Sequence, residues 1–414
     1  MLWKNRFEKT GKYGRCLLIL CVAIAFQLTA FANSARLQSS RSQSAHRYIV
    51  YVGTYTGGDS KGIYGFRFDE RTGSLEPLGL EAPMANPSFI VTDPTHRHLY
   101  AVTEMTKRGP NAYRENGTIS SFAIDLRTGS LRFLNRVSSG GGGPCHLVVD
   151  RRGRILFVAN YGSGNVASFA IQPDGSIGAM TGFDQHHGSS VNPRRQEGPH
   201  AHEVVLSPDN RFLFVPDLGL DRIMIYRVNE AKRNFSANDP AYVAVKPGLG
   251  PRHFIFAPDG KFAYAVCEMG SSVVAFSFDR ENGALTPIQT ISTLPASFTG
   301  EDNSAEIQID ASGRFLYASN RGQNTLTEFR IDGTTGMLAP VQNLPTNGKT
   351  PRNFVIDPTG RYVLVANQDS NNVTLFKIDP ATGRLAAEDR EYAVSAPVSI
   401  LFIPNSVART AAQK

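Results

Sequence analysis

Cysteine, clustered basic charge and helical periodicity are all scarce in this chain of 414 residues. Of its four cysteines, Cys16 and Cys21 lie near the N-terminus, whereas Cys145 and Cys267 stand far apart in the rest of the chain. Such usage builds no disulfide framework, and the two later cysteines are expected to stay unpaired. No block of Lys or Arg marks a nucleic-acid surface. A Gly-x-Ser-x-Gly elbow is missing, which removes the usual setting of a serine nucleophile. Glycines 140–143 precede no helical pattern, so they form no phosphate loop. Apolar residues nevertheless make up 41% and charged residues 19% of the chain, a balance that excludes disorder and a fibrous fold.

One long apolar run is present, from Cys16 to Phe26. Lys4, Arg6, Lys9, Lys12 and Arg15 precede it, and Ala30-Phe31-Ala32 follows as a small-x-small cleavage pattern. Residues 1–32 therefore read as a secretory signal, and the protein is expected to be periplasmic or secreted, with no membrane attachment after cleavage. Retention of the leader as an anchor is the alternative, although the run is shorter than the about 20 residues that span a bilayer. Leu20 before Cys21 disfavours a lipoprotein signal. Without the leader the net charge of +7 falls to about +3, so most of the basic balance belongs to the signal. Residues 33–47 read as a flexible linker, 48–404 as one folded unit and 405–414 as a tail.

The folded unit is a repeat. A turn followed by a strand recurs in Asp93-Pro-Thr-His-Arg-His-Leu-Tyr100, Asp150-Arg-Arg-Gly-Arg-Ile-Leu-Phe157, Ser207-Pro-Asp-Asn-Arg-Phe-Leu-Phe214, Ala257-Pro-Asp-Gly-Lys-Phe-Ala-Tyr264, Asp310-Ala-Ser-Gly-Arg-Phe-Leu-Tyr317 and Asp357-Pro-Thr-Gly-Arg-Tyr-Val-Leu364. An alternating strand follows each, as in Phe169/Ile171 and Phe329/Ile331, whose period of two predicts one buried face. A Gly turn such as Thr335-Gly336 then leads into a fourth strand, except in one unit, where Asn229-Glu-Ala-Lys-Arg-Asn234 stands instead. Arg97, Arg154, Arg211, Lys261, Arg314 and Arg361 mark units 57, 57, 50, 53 and 47 residues apart, a spacing that suits propeller blades. The reading is all-β: a seven-bladed β-propeller of four-stranded antiparallel blades. The first unit begins at Tyr48 with its second strand, so Pro397-Val-Ser-Ile-Leu-Phe-Ile403 is expected to close the ring beside it and remove the open edge.

Blade topology places the monotonous Pro-Asp-Gly and Thr-Gly turns on one face and the variable connections, including segments 105–117 and 182–199, on the other. Sites are built where loops vary on a rigid scaffold. Around that mouth the first strands open with Gly143-Pro-Cys-His146, Gly198-Pro-His-Ala-His202, Gly250-Pro-Arg-His253, Ser304-Ala-Glu306 and Thr350-Pro-Arg-Asn353. The second strands close with Glu104, Asn160, Asp217, Glu268, Asn320 and Asn367. Glu104 and Glu268 come one residue later than the others, which reads as a bulge. A base and cations in one mouth suit water-driven opening of an ester ring. Arg252, Arg352 and Glu268 are the first candidates, with His200 and His202 as alternatives for a channel-facing imidazole. His146, Glu104, Glu306 and Asn320 complete the set that would contact a substrate. No metal is expected, because the clustered His186, His187, His200 and His202 match no tetrahedral spacing. No cofactor is expected either.

Gly198-Pro-His-Ala-His202, Pro216-Asp-Leu-Gly219, Gly250-Pro-Arg-His253, Ala263-Tyr-Ala-Val-Cys-Glu268, Ser304-Ala-Glu-Ile307, Ser319-Asn-Arg-Gly322 and Pro351-Arg-Asn-Phe354 together resemble the seven-bladed lactonases of the bacterial 6-phosphogluconolactonase type, relatives of carboxy-muconate cyclase. The resemblance covers about residues 48–404. It implies a lactone-opening enzyme whose reacting set is one His, two Arg and one Glu, falling on Arg252, Glu268 and Arg352, with His202 preferred over His200. It implies a small-molecule lactone as partner, with a monomer expected. A non-catalytic binding propeller of the YVTN surface type and a lactone-forming cyclase are the competing readings. The cytoplasmic origin of 6-phosphogluconolactone conflicts with an exported enzyme, so that particular substrate is the weaker part of the implication.

Overall fold

The computed structural model describes residues 46–104 and 116–405. The expected signal, most of the linker, the tail beyond Asn405 and most of segment 105–117 lie outside the described residues. Twenty-eight strands, numbered β1 to β28 in chain order, form seven four-stranded antiparallel sheets. The ring closes as the repeat predicts: β28 (Pro397–Pro404) pairs with β1 (His46–Thr54), setting Val50 opposite Phe402 and Val52 opposite Ile400. Blade 1 is therefore built from both ends of the unit, and blades 2 to 7 follow in order.

Burial runs from the channel outward. Most second strands, such as β9 (Ile155–Asn160) and β17 (Phe262–Cys267), are buried at every residue. The outer strand β19 (Leu285–Ser292) is half-buried or exposed at every residue after Leu285 and faces solvent. The third strand of blade 3 departs from the expectation of one buried face: β10 (Asn165–Ile171) is buried throughout, whereas β14 (Arg222–Asn229) keeps exposed and half-buried positions among its buried ones. The two faces of β10 are covered by the two neighbouring blades, so alternation of apolar and polar residues is not needed there. Seven apolar clusters fill the seven inter-blade spaces. One joins Phe212, Phe214 and Ile225 of blade 4 to Phe254, Ala265 and Phe276 of blade 5, and another joins Val50 and Phe68 of blade 1 to Tyr362 and Leu364 of blade 7.

Tyrosines in the second strands pin neighbouring blades. Tyr51, Tyr264 and Tyr317 donate to the carbonyls of Gly129, Gly336 and Gly383 at 2.7, 3.0 and 2.7 Å. Each acceptor lies in the Gly turn of the next blade. Gly336 sits at φ 72°, and a Cβ there would come within 2.4 Å of the Phe262 ring, so the turn requires glycine. In blade 4, where that glycine is missing, Arg233 takes the left-handed conformation at φ 56°. Cys145 and Cys267 are free and buried.

Candidate active site

Two backbone features, the first repeated in every blade and the second in several, place the side chains of the mouth. The first is the residue just past the second strand, whose N–H donates to a carbonyl in the segment leading into the first strand. Tyr55, Glu104, Tyr161, Leu218, Glu268, Arg321 and Gln368 donate in this way to Ala396, Asn86, Gly143, His200, Gly250, Asn303 and Thr350. These seven form one ring. Glu104 and Glu268 are thus in register with Tyr55, Tyr161 and Arg321, and no bulge shifts them: β17 pairs regularly with β18 (Ser272–Phe278) up to Cys267. Asn160, Asp217, Asn320 and Asn367 occupy the preceding, buried position instead.

The second feature is a bulge in the first strand. In β16 (Pro251–Phe256), Pro251 and His253 oppose the adjacent residues Cys267 and Val266, leaving Arg252 as the extra residue. The same shift falls at Cys145 and Arg352. A bulge turns two consecutive side chains toward one face. Cys145, His202, Arg252 and Arg352 form the upper layer at the mouth. Phe89, His146, Glu203, His253, Glu306 and Asn353 contact one another in a second, lower layer, of which Phe89, His253 and Asn353 share a small recess with the upper one.

The upper layer, the ring and two connections enclose a cavity of about 370 Å³ lined by Tyr55, Glu104, Cys145, Tyr161, Arg195, His202, Glu268, Asn303, Arg321 and Arg352. Arg252 lines a small adjoining recess shared with Glu104, Cys145, His202 and Arg352. Glu268 is the hub. Its Oε1 accepts from Arg195 Nη2 at 2.5 Å, and its Oε2 lies 3.1 Å from Arg252 Nε and 2.8 Å from Arg321 Nη2. Burial opposes its charge, but Arg321, Arg252 and Arg195 outweigh burial and hold the carboxyl far below the usual carboxylate range. With one oxygen on Arg195 and the other on Arg252 and Arg321, the carboxylate is already engaged and poorly placed to take a proton from water.

His202 Nε2 lies 4.0 Å from Glu268 Oε2, and burial, with Arg252 beside it, pushes the imidazole well below its ordinary value. It is neutral at physiological pH and has a lone pair to offer. Burial, Arg321 and Arg352 pull Arg252 down to about 10, where it remains a cation at neutral pH. Its Nη1 donates to the Ala305 carbonyl at 2.7 Å, and with Nε held by Glu268 only Nη2 is left for a ligand. Among the described residues Arg352 makes no ion pair; its guanidinium lies over the Tyr55 ring at 5.3 Å. Tyr55 itself donates to Glu104 Oε2 at 2.9 Å.

The structure therefore brings together His202, Arg252, Glu268, Arg352 and Glu104 of the residues expected from sequence. His200 is set aside: it stacks on Tyr161 at 4.5 Å and its Nδ1 bonds the Tyr161 carbonyl, so it braces a lining residue. Asn320 is buried in a clamp, its amide donating to Thr293 O and Thr327 Oγ1 at 3.1 Å. His146 and Glu306 lie in the lower layer, behind the cavity. Arg195, Arg321, Tyr55 and Tyr161 are lining residues that sequence reasoning passed over. The signal for three of them is the ring position one residue after each second strand; Arg195 lies in a connection with no counterpart in other blades.

His186 is held away from the mouth by Asp217 and Tyr226, at 2.6 and 2.8 Å. In the lower layer, His146, Glu203 and His253 bring ligand atoms within 4.8 Å of one another. That spacing suits a divalent cation, but the donor chemistry does not. Arg252 Nη1 lies 3.1 Å from His253 Nε2 and Glu306 Oε1 lies 3.3 Å from its Nδ1, so both ring nitrogens are engaged and one faces a fixed positive charge.

Four guanidiniums thus converge with two carboxyl groups and a neutral imidazole at one mouth of a closed propeller, which leaves the cavity with an excess of positive charge. The sequence matches the family described as Lactonase, 7-bladed beta-propeller, over residues 49–402, and the chain belongs to that family. It is 33% identical to the 6-phosphogluconolactonase of Bacillus subtilis over 309 residues, 75% of this chain and 85% of that one. It is 34% identical to the 6-phosphogluconolactonase of Formosa agariphila over 315 residues, 74% of this chain and 86% of that one. Among solved structures, the periplasmic gluconolactonase of Pseudomonas aeruginosa superposes with a TM-score of 0.81 at 38% identity, covering 86% of this chain and 99% of that one.

Proposed function

We propose that the chain is an exported lactonase that adds water across the ring ester of a lactone bearing an acidic group, with sugar-derived lactones as the substrate class. The carrying observation is Arg352: a partly buried guanidinium that lines the cavity and makes no ion pair among the described residues. A cation so placed calls for an anion from the ligand, and its planar fork suits a carboxylate or phosphate. His202, neutral and beside the cavity, takes the proton from the attacking water. Arg252 Nη2 meets the oxyanion as the carbonyl becomes tetrahedral. Glu268 keeps Arg195, Arg252 and Arg321 in place and is an electrostatic hub rather than the base. Ring opening then expels the ring oxygen, which leaves as a hydroxyl after taking a proton from His202.

Export rests on the basic lead, apolar run and Ala-x-Ala pattern of residues 1–32, and on the likeness to a relative whose name is periplasmic. A carboxylated sugar lactone made outside the cytoplasm, such as an aldaric acid monolactone, fits that location better than a phosphorylated cytoplasmic one. Incubation of the purified protein with a panel of neutral, carboxylated and phosphorylated lactones, followed by acid release at constant pH, tests the reading. Hydrolysis of an acidic lactone well above the spontaneous rate supports it. Turnover of none of the panel would remove it.

A further inference from the structure

The lower layer of the channel contains a hydrogen-bond chain whose direction is fixed at both ends. At one end the backbone N–H of Ile400 in blade 1 donates to Asn353 Oδ1 at 2.9 Å. The amide nitrogen of Asn353 must therefore face the other way, and it donates to Glu306 Oε2 at 2.5 Å. At the other end stands Arg252, which has donors only. Its Nη1 meets His253 Nε2 at 3.1 Å, so that nitrogen must be an acceptor and the ring proton must sit on Nδ1. Nδ1–H then donates to Glu306 Oε1 at 3.3 Å, an oxygen that also accepts from the Ile307 N–H at 3.0 Å. The chain joins blades 1, 7, 6 and 5 below the cavity, and all its side chains are nine-tenths or more buried.

We propose that Glu306 and His253 are positioning residues: Glu306 fixes His253 as the Nδ1–H tautomer, and His253 Nε2 then aims the Arg252 guanidinium so that its free Nη2 faces the reacting carbonyl. The assignment of Arg252 to the carbonyl rests on the lactonase reading; the tautomer does not. A protonated His253 would oppose one N–H to another and release Arg252. Burial, then Arg252 and Arg352, keep the ring well below its ordinary value, with Glu268 opposing them and Arg321 adding to them. His146 and His202 each face His253 with ring centroids at 5.4 Å, and both are themselves pushed toward the neutral form by burial. The carboxyl groups facing the same cluster, Glu306 and Glu203, are both pushed up by burial, Glu203 also by Glu306; the tautomer itself follows from the donors and acceptors around the ring.

The test has two arms on the full mature protein. Long-range proton–nitrogen spectra of protein labelled with ¹⁵N-histidine, with His253 assigned by its disappearance in His253→Gln, report the tautomer directly at pH 7. The Nδ1–H form is expected; the Nε2–H form or an imidazolium overturns the proposal, whether or not any lactone is hydrolysed. Kinetics on the best lactone supply the second arm. His253→Leu removes the acceptor and should lower kcat about 10- to 100-fold with KM changed less than about threefold, whereas His253→Gln, which can still accept from Arg252, should recover most of the loss. Equal kcat in wild type and His253→Leu, or a loss that Gln fails to relieve at unchanged melting temperature, overturns it. Absence of turnover in the wild type alone would instead count against the lactonase reading and leave the spectral result to decide the tautomer.

Discussion

Arg195, carried by the connection between blades 3 and 4, meets Glu268 of blade 5 at 2.5 Å across the top of the cavity. The connection is anchored beneath: Asp221 accepts from Ser190 Oγ at 2.5 Å and from Gln196 Nε2 at 2.8 Å. Arg195 is also the most exposed of the four guanidiniums around Glu268 and the cavity, with 38% of its side chain open. A cation on the solvent side of a mouth draws the ligand in and holds its charge in ground and transition state alike. Arg195→Ala should therefore raise KM several-fold while leaving kcat within about threefold. Steady-state kinetics at low and high salt check this, with the larger effect at low salt.

Glu268 and His202 should separate by stability as well as by rate. Glu268→Gln leaves three guanidiniums facing a neutral amide, and breaking such a buried network costs about 3–5 kcal/mol. Its melting temperature should fall by many degrees. His202→Asn removes no ion pair shorter than 4.0 Å and should melt near the wild type, with turnover reduced on the order of 100-fold or more. Calorimetry beside kinetics resolves the two.

A second carboxyl group makes stability depend on pH. Glu328, in β22 (Thr325–Ile331), is fully buried and neither of its oxygens has a hydrogen-bond partner among the described residues. Burial pushes it up to about 7, with Arg384 partly offsetting this and Asp379 adding to it. A raised acid pKa means that the folded state holds a proton that the unfolded chain loses near pH 4.3. Stability should accordingly fall as pH rises from about 4.3 to about 7 and then level off. Glu328→Gln should melt a few degrees above the wild type at pH 8 and level with it near pH 4. Melting curves across that range, compared between the two proteins, decide it.

Removing residues 396–414 should open the ring. β28 supplies the partner of β1 from Tyr48 to Thr54, and without it the buried edge of blade 1 and the facing surface of blade 7 become exposed. Loss of cooperative unfolding or aggregation is expected by calorimetry and size-exclusion chromatography; a truncated chain as stable as the full one would place the closure elsewhere.

The repeat made the fold legible, because the same turn and strand chemistry is written in each unit and the missing first strand has one matching segment, at Pro397 to Ile403. The site was half legible. Arg252 and Arg352 stand out because each follows Pro at the start of a first strand, where a channel-facing cation has no apolar reason to be. Glu268 was found but misregistered: chemical type aligned it with Asn160 and Asn320, whereas the backbone aligns it with Tyr161 and Arg321. A ring of unlike residues carries no compositional pattern, so only the repeated N–H to carbonyl bond reveals it. His200 and His202 share a strand face by spacing, yet His200 N is held by Asp217 Oδ1 at 2.8 Å and its ring turns onto Tyr161, a tertiary contact that spacing does not encode. Arg195 belongs to a connection unique to one blade and was beyond reach of any repeat.

In the proposed mechanism, opening of an acidic lactone in this cavity depends on two groups: the neutral imidazole of His202 and the guanidinium of Arg352, which is free of ion pairs among the described residues. Initial rates of one acidic lactone and its neutral counterpart, measured with wild type, His202→Asn and Arg352→Gln, separate their parts. The wild type should clearly prefer the acidic lactone, His202→Asn should lose turnover on both, and Arg352→Gln should lose the preference through a raised KM for the acidic lactone alone. Equal handling of the two lactones by the wild type, or unchanged rates in both variants, would contradict these roles.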